Sequence, residues 1–205
     1  MVYASRWAWL AVRGRAGNGA SEGKFRFAGY WEEVEDLRAL CTWAQRRGMP
    51  IGSVTGHSKA GTVVTDFAGR YPELCPSLVI LCGRYDMVEG LRERVGVGNY
   101  EAAMSRGSAE VTPAKGAPYI ITREDIVERE GIDSGRLCAL VRCRTLIVHG
   151  TADATIPVAD SGRFEEALRT APGAPEVRRV VIEGANHRFS EHREALGAAV
   201  AEFVS

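Results

Sequence analysis

The chain has 205 residues, 45% of them hydrophobic and 25% charged, which is typical of one globular domain, here residues 1–205, with a buried core. Lysine plus arginine and aspartate plus glutamate each number 26, so the zero net charge argues against nucleic acid or an anionic membrane as a partner. No apolar run of about eighteen residues occurs, so no membrane span is predicted.

The N-terminal part of the chain predicts a strand, a loop and a helix in succession. Residues 7–12 are apolar and predict a strand, with a poor signal peptide as the alternative. Residues 14–23 form a glycine-rich loop. Residues 30–47 carry apolar side chains at helical spacing, with an acidic start, a basic end and Gly48 as a cap.

A serine lies at a sharp turn between the next strand and the next helix. Residues 49–54 predict a strand and residues 61–71 a helix, and Gly56-His57-Ser58-Lys59-Ala60-Gly61 joins them. Such a tight turn tolerates only small residues two positions before and after the serine, here Gly56 and Ala60. The pattern indicates a nucleophile elbow, with Ser58 at its apex.

The rest of the chain alternates strands with helices. Strands are predicted at residues 77–82, 144–148 and 177–182, and helices at residues 89–95, 162–169 and 191–204. Residues 96–136 show no strong sheet pattern and one helical piece near residues 123–129. The alternation predicts an α/β fold, a three-layer α/β/α sandwich with a mainly parallel sheet of about five strands.

Two polar residues follow later strands as Ser58 follows its own. Asp153 and His187 each lie a few residues beyond the carboxyl end of a strand, and these ends meet at one edge of a parallel sheet. A serine needs a base to become nucleophilic, and an imidazole titrates near neutrality. Ser58 is therefore the predicted nucleophile, His187 its base and Asp153 the residue that orients the imidazole.

Each of these assignments has a structural alternative. Ser58 could be only a turn residue, and Asp153 only a turn cap. Asp160 is a rival acid, expected at the N-cap of the following helix. His192 is a rival base, expected on a solvated face of the last helix among charged neighbours.

The residues next to Ser58 and just before Asp153 are not predicted to take part in the chemistry through their side chains. His57 is expected to pack at the elbow, and the aliphatic stem of Lys59 to line the pocket mouth. His149-Gly150 resembles an oxyanion motif but lies just before the predicted acid, after the wrong strand.

The cysteines and histidines predict neither disulfides nor a metal site. Five cysteines, an odd number without C-x-x-C spacing, are expected as small buried residues of a reducing compartment. The four histidines lack ligand spacing, so no metal and no cofactor are predicted. We expect a cytoplasmic protein, with organellar targeting by a missing N-terminal segment left open.

Several ordered stretches together resemble the α/β-hydrolase superfamily, within it the serine-aminopeptidase-like or esterase/lipase-like serine hydrolases. The resemblance runs from about residue 17 to the C-terminus. It rests on Gly17-Asn18-Gly19-Ala20-Ser21-Glu22-Gly23, Gly56-His57-Ser58-Lys59-Ala60-Gly61, Gly83-Arg84-Tyr85-Asp86, His149-Gly150-Thr151-Ala152-Asp153-Ala154-Thr155-Ile156-Pro157 and Gly184-Ala185-Asn186-His187. It implies a cap insertion at residues 96–136 and the backbone N–H of Lys59 as one oxyanion donor.

The chain departs from this family at its N-terminus. The family has eight strands, with the nucleophile after the fifth, whereas residues 7–12 correspond to the fourth and the first three have no counterpart. The loop after the third strand normally supplies the second oxyanion donor, and losing one donor costs ~10²–10³ in rate. A truncated gene model, a fragment and a decayed paralogue all remain open.

The resemblance implies a serine hydrolase that cleaves a small to medium carboxylic ester through an acyl-enzyme, with a small-molecule ester as its partner. The alternative is a catalytically impaired or non-catalytic truncated paralogue that acts as a binding protein. A peptidase ranks below an esterase, because a peptide leaving group demands a complete oxyanion hole.

Overall fold

The computed structural model describes residues 22, 25–113 and 117–205. The strand predicted at residues 7–12 and nearly all of the loop predicted at residues 14–23 lie outside this range. The helices are α1 Tyr30–Arg46, α2 Lys59–Arg70, α3 Leu91–Val95, α4 Val97–Arg106, α5 Arg123–Glu130, α6 Ser134–Cys138, α7 Ala159–Thr170 and α8 Arg193–Val204. The strands are β1 Val54–His57, β2 Ser77–Leu81, β3 Ser108–Val111, β4 Tyr119–Thr122, β5 Arg144–Gly150 and β6 Val177–Ile182.

Four of the strands form the main sheet, and all of its pairings are parallel. The order is β1-β2-β5-β6, and each pair is in continuous register. The fifth strand of the predicted sheet is the one assigned to residues 7–12. The predicted α/β class and the mainly parallel sheet are therefore confirmed.

Helices cover both faces of this sheet, because strand side chains alternate between the faces. Leu78, Ile80 and Ile147 point into one apolar core, shared with α1, α2, α6 and α7. Val79 and Leu146 point into another, which α8 covers. The three layers leave the carboxyl ends of the strands accessible at one edge.

The first described strand lies further along the chain than predicted. β1 occupies Val54–His57, whereas the sequence pattern placed a strand at residues 49–54. Pro50 has no amide hydrogen to donate to a ladder, and β1 begins only where residues pair with β2. The shift carries the strand directly into the serine turn.

The segment at residues 96–136 contains more regular structure than its sequence pattern predicted. It holds α4 and an antiparallel hairpin of β3 and β4, besides the helix predicted near residues 123–129. Buried side chains of α3, α4, α5 and the hairpin pack together with Phe27 in a cluster of their own. Its role as a cap remains a prediction.

One helix of this segment caps α1, the first helix that the structure describes. The N-cap of α1 is Gly29, and no side chain of that residue can satisfy the first amides. Glu128 of α5 accepts from the N–H groups of Gly29, at 3.1 Å, and Tyr30, at 2.6 Å. Asp125 accepts from the N–H of Ala28 at 3.4 Å. These carboxylates also lie at the positive end of the α1 dipole.

The sequence predicted unpaired cysteines and no membrane span. All five cysteines are unpaired, and four of them are buried. Within the part of the chain that the structure describes, no helix has both the length and the apolar character to cross a membrane.

Candidate active site

The serine turn has a strained backbone that leaves little room around it. Ser58 joins β1 to α2 with a φ of 59°, a region that non-glycine residues rarely adopt. A Cβ added at Gly56 would lie 2.2 Å from the carbonyl oxygen of Ala60, so no larger residue fits. The Ser58 N–H donates to the carbonyl of Leu81 at 2.9 Å, which ties the turn to β2.

Ser58, His187 and Asp153 form a continuous chain of hydrogen bonds at the carboxyl edge of the sheet. The Ser58 hydroxyl donates to Nε2 of His187 over 3.0 Å. Nδ1–H of His187 donates to Oδ2 of Asp153 over 2.7 Å. The Asp153 carboxylate is fully buried, whereas the His187 side chain keeps 16% of its surface exposed. The three residues predicted from separate strands are thus brought together.

The surroundings of Asp153 favour its ionised form. Burial is the largest influence on its pKa and would raise it. The N–H groups of Ile156 and Thr155 donate to Oδ1 at 2.9 and 2.8 Å, and His187 donates to Oδ2. Together these donors hold the pKa of Asp153 below its ordinary value. The imidazole therefore faces a carboxylate.

The two rival residues lie elsewhere in the fold. Asp160 was expected at the N-cap of α7, but the N-cap is Val158, and Asp160 lies in the first turn with its side chain buried. Its Oδ2 accepts from the N–H of Tyr85 at 2.9 Å instead of capping its own helix. His192 is the N-cap residue of α8 and lies beside Gly184. Neither has a hydrogen bond to Ser58 or His187 in the described residues.

Two histidines outside the three-residue chain hold its members in place. Nε2–H of His57 donates to the backbone carbonyl of His187 over 2.7 Å, and the two rings lie 4.7 Å apart. Nε2–H of His149, which is fully buried, donates to the carbonyl of Ile156 at 3.1 Å and lies 3.2 Å from Oδ2 of Asp153. Neither contact was predicted from the sequence; the only signal was that each histidine lies at or near the carboxyl end of a parallel strand.

Two clusters near this edge have the spacing of metal ligands. In the described residues, ligand atoms of His57, Cys82 and His187 lie within 4.8 Å of one another, as do those of Cys82, His149 and Asp153. A metal there would compete with the hydrogen bonds of His187 and Asp153. Burial raises the pKa of Cys82 to about 12, so this thiol is a poor ligand near neutrality. The absence of a metal cofactor remains a prediction.

Lys59 links the serine turn to the start of α1. It is the first residue of α2, so its backbone N–H directly follows Ser58. Its Nζ donates to the Glu33 carboxylate at 2.6 Å and to the carbonyl of Ala28, and lies 4.6 Å from the centre of the Tyr30 ring. The side chain thus makes an ion pair, whereas only its stem had been expected to have a role.

Comparison with solved structures places this site on a known fold. Est1E from Butyrivibrio proteoclasticus, with ferulic acid bound, superposes with a TM-score of 0.74 and 22% identity over 91% of this chain and 72% of that one. Mouse alpha/beta hydrolase domain-containing protein 10 superposes with a TM-score of 0.69 and 17% identity, over 92% of this chain and 74% of that one. Paleococcus ferrophilus monoacylglycerol lipase superposes with a TM-score of 0.65 and 17% identity, over 92% of this chain and 79% of that one.

No protein-family model matches the chain, and no curated protein sequence matches it. The structural likeness, at these identities, concerns the fold. The chain has the α/β-hydrolase fold, as the sequence resemblance predicted.

Proposed function

We propose that this protein is a serine hydrolase that cleaves carboxylic esters of small to medium size through an acyl-enzyme. The observation that carries the proposal is the hydrogen-bonded chain from Ser58 through His187 to the buried, ionised Asp153. A serine joined to an imidazole that a carboxylate orients is the arrangement of nucleophilic acyl transfer.

The reaction would proceed in two balanced steps. Ser58 Oγ attacks the ester carbonyl carbon while its proton passes to Nε2 of His187, and the same proton then leaves with the alcohol. Water next attacks the acyl-serine, gives its proton to His187 and releases the acid, and Ser58 regains that proton. Asp153 stabilises the imidazolium in both steps, and the Lys59 N–H would bind the developing oxyanion.

The test is hydrolysis of 4-nitrophenyl butyrate by the purified chain, followed by labelling with a fluorophosphonate, which reacts only with an activated serine. Ser58→Ala should abolish labelling and reduce turnover by about 10⁴-fold or more. Methyl ferulate belongs among the substrates, because the compared Est1E structure has ferulic acid bound.

Ser53→Ala is the matched control. Ser53 precedes β1, and its buried hydroxyl has no hydrogen-bond partner in the described residues, so its removal should leave both readouts unchanged. If the wild-type chain is folded but hydrolyses no ester and takes up no probe, the proposal fails and a non-catalytic binding protein is favoured.

A further inference from the structure

A cleft of about 710 Å³ lies beside the proposed catalytic acid. The loop after β2, the helix α3 and the loop after β5 form its walls. Arg84, Glu89 and Arg94 line it together with Asp153 and Thr155. The cleft therefore adjoins the residues that would act on an ester.

Arg84 presents a fixed positive charge in this cleft. The residue is only 9% exposed, and its two terminal nitrogens donate to the carbonyls of Thr155, at 2.6 Å, and Glu89, at 3.3 Å. Its Nε has no hydrogen-bond partner in the described residues. Both bonds go to neutral oxygens, so they fix the guanidinium without neutralising it.

Two further guanidinium groups lie at the Phe27 ring. Those of Arg94 and Arg129 each lie 5.8 Å from the centre of the Phe27 ring. Arg129 is 5% exposed and donates to the Tyr30 hydroxyl at 2.9 Å. Burial is the main cause that lowers the pKa of Arg129, and the charges of Arg94 and Arg84 lower it further.

No carboxylate of the described residues forms a close ion pair with these arginines. Among the described residues, none lies within 4.0 Å of a guanidinium nitrogen of Arg84, Arg94 or Arg129. Glu89 also lines the cleft, but the nearest cation to its carboxylate is Arg163, at 3.6 Å. Arginines without a close ion-pair partner attract an anion, and a guanidinium fork matches a carboxylate best.

We propose that this cleft binds a carboxylate of the substrate, so that the preferred esters carry one anionic group, in the acid or in the alcohol. Arg94, exposed on α3, would contact that carboxylate, and the fixed charge of Arg84 would strengthen its binding. This proposal deepens the proposed function and rests on it for the catalytic readout.

Matched ester pairs test the preference. For the acid side, 4-nitrophenyl hydrogen adipate is compared with 4-nitrophenyl methyl adipate by the release of nitrophenol. For the alcohol side, 4-butanoyloxybenzoate is compared with its methyl ester by the release of the phenol. In at least one pair the anionic ester should have the higher kcat/KM, and the advantage should shrink in high salt.

Arg94→Gln should lower kcat/KM for the preferred anionic ester about ten-fold, the loss of one charge-assisted hydrogen bond, and for its neutral partner less than about two-fold. Arg94→Lys should restore part of the difference. Arg92→Gln is the control, because Arg92 is exposed on the same helix and contacts the Tyr100 ring, outside this cleft. Equal losses for both esters, or equal effects of the two glutamine variants, would overturn the proposal.

A binding measurement separates this proposal from the proposed function. Calorimetric titration with glutarate, against neutral glutaramide at equal ionic strength, needs no turnover. Glutarate should bind and glutaramide should not, and Arg94→Gln should weaken the binding of glutarate. If esters are not hydrolysed but glutarate binds in this way, the hydrolase proposal fails and the anion site is supported. If glutarate does not bind and neither pair shows a preference, the anion site is refuted.

Discussion

The loop after β5 and the first turn of α7 each bury an aspartate, and the two carboxylates have opposite properties. Asp153 receives donors on both oxygens, and its pKa is lowered. Asp160 receives the Tyr85 N–H on one oxygen, while the other has no hydrogen-bond partner among the described residues and lies 3.6 Å from Arg163. Burial raises the pKa of Asp160 above its ordinary value. Burial alone does not decide the charge of a carboxyl; the number of donors aimed at it does.

The largest expected difference between the two aspartates is in activity. Asp153→Asn keeps the shape but removes the charge that orients and stabilises the His187 imidazole, so kcat for 4-nitrophenyl butyrate should fall by about 10⁴-fold. Asp160→Asn should change kcat less than about two-fold, because among the described residues Asp160 has no hydrogen bond to Ser58, Asp153 or His187. Comparable losses of kcat in both variants would mean that the two aspartates do not differ in function.

The second difference lies in the pH dependence of stability. Because the pKa of Asp160 is raised, the folded protein holds this proton more tightly than the unfolded chain. The contribution of Asp160 is therefore most favourable below an ordinary carboxyl pKa of about 3.9, and is lost as the pH rises through the folded-state pKa. Denaturant unfolding of the wild type and of Asp160→Asn should show the wild type losing stability relative to the variant over this window.

The difference in unfolding free energy between the wild type and Asp160→Asn at a single acidic pH does not report the carboxyl, since the asparagine makes contacts of its own. Only the change of that difference with pH reports the buried carboxyl. A difference that stays constant from pH 4 to pH 7 would mean that Asp160 has a normal pKa in the folded protein.

The smallest expected effect concerns His149, which supports the Asp153 loop from behind. Burial lowers its pKa, so its contribution is complete above the ordinary imidazole pKa of about 6.5 and is lost as the pH falls. His149→Gln keeps an N–H donor near Ile156 but cannot titrate. Its unfolding free energy should fall less on acidification than that of the wild type, and kcat should drop at most about five-fold, the equivalent of one neutral hydrogen bond. A larger loss of kcat would mean that His149 contributes more to the reaction than its contacts with Ile156 and Asp153 account for.

Local pattern was enough to predict the position of the proposed nucleophile and its partners along the chain. The elbow could be recognised because Gly56 has no room for a Cβ, which is a constraint on sequence. The strand at residues 177–182 was predicted with its observed bounds, because a β-branched run between turns admits few alternatives. The same logic predicted that Asp153 and His187 would approach Ser58.

Contacts between distant segments could not be predicted in this way. The bond from His57 to the His187 carbonyl joins residues 130 positions apart and leaves no local pattern. The β3–β4 hairpin was missed because four-residue strands are too short for alternation to be seen. Asp160 was assigned to a cap because its partner, the Tyr85 N–H, lies 75 positions away.

The capping of α1 by α5 has a consequence for engineering. Specificity in enzymes is often changed by exchanging a surface insertion between relatives. Here Glu128 and Asp125, within the insertion predicted from sequence, accept from the N–H groups of Ala28, Gly29 and Tyr30, where a core helix with a glycine N-cap begins. A transplanted insertion without carboxylates at these two positions would leave those amides without acceptors and fray the start of α1. Because Lys59 connects that start to the serine turn, a graft chosen only for its binding surface would also disturb the position of the proposed nucleophile.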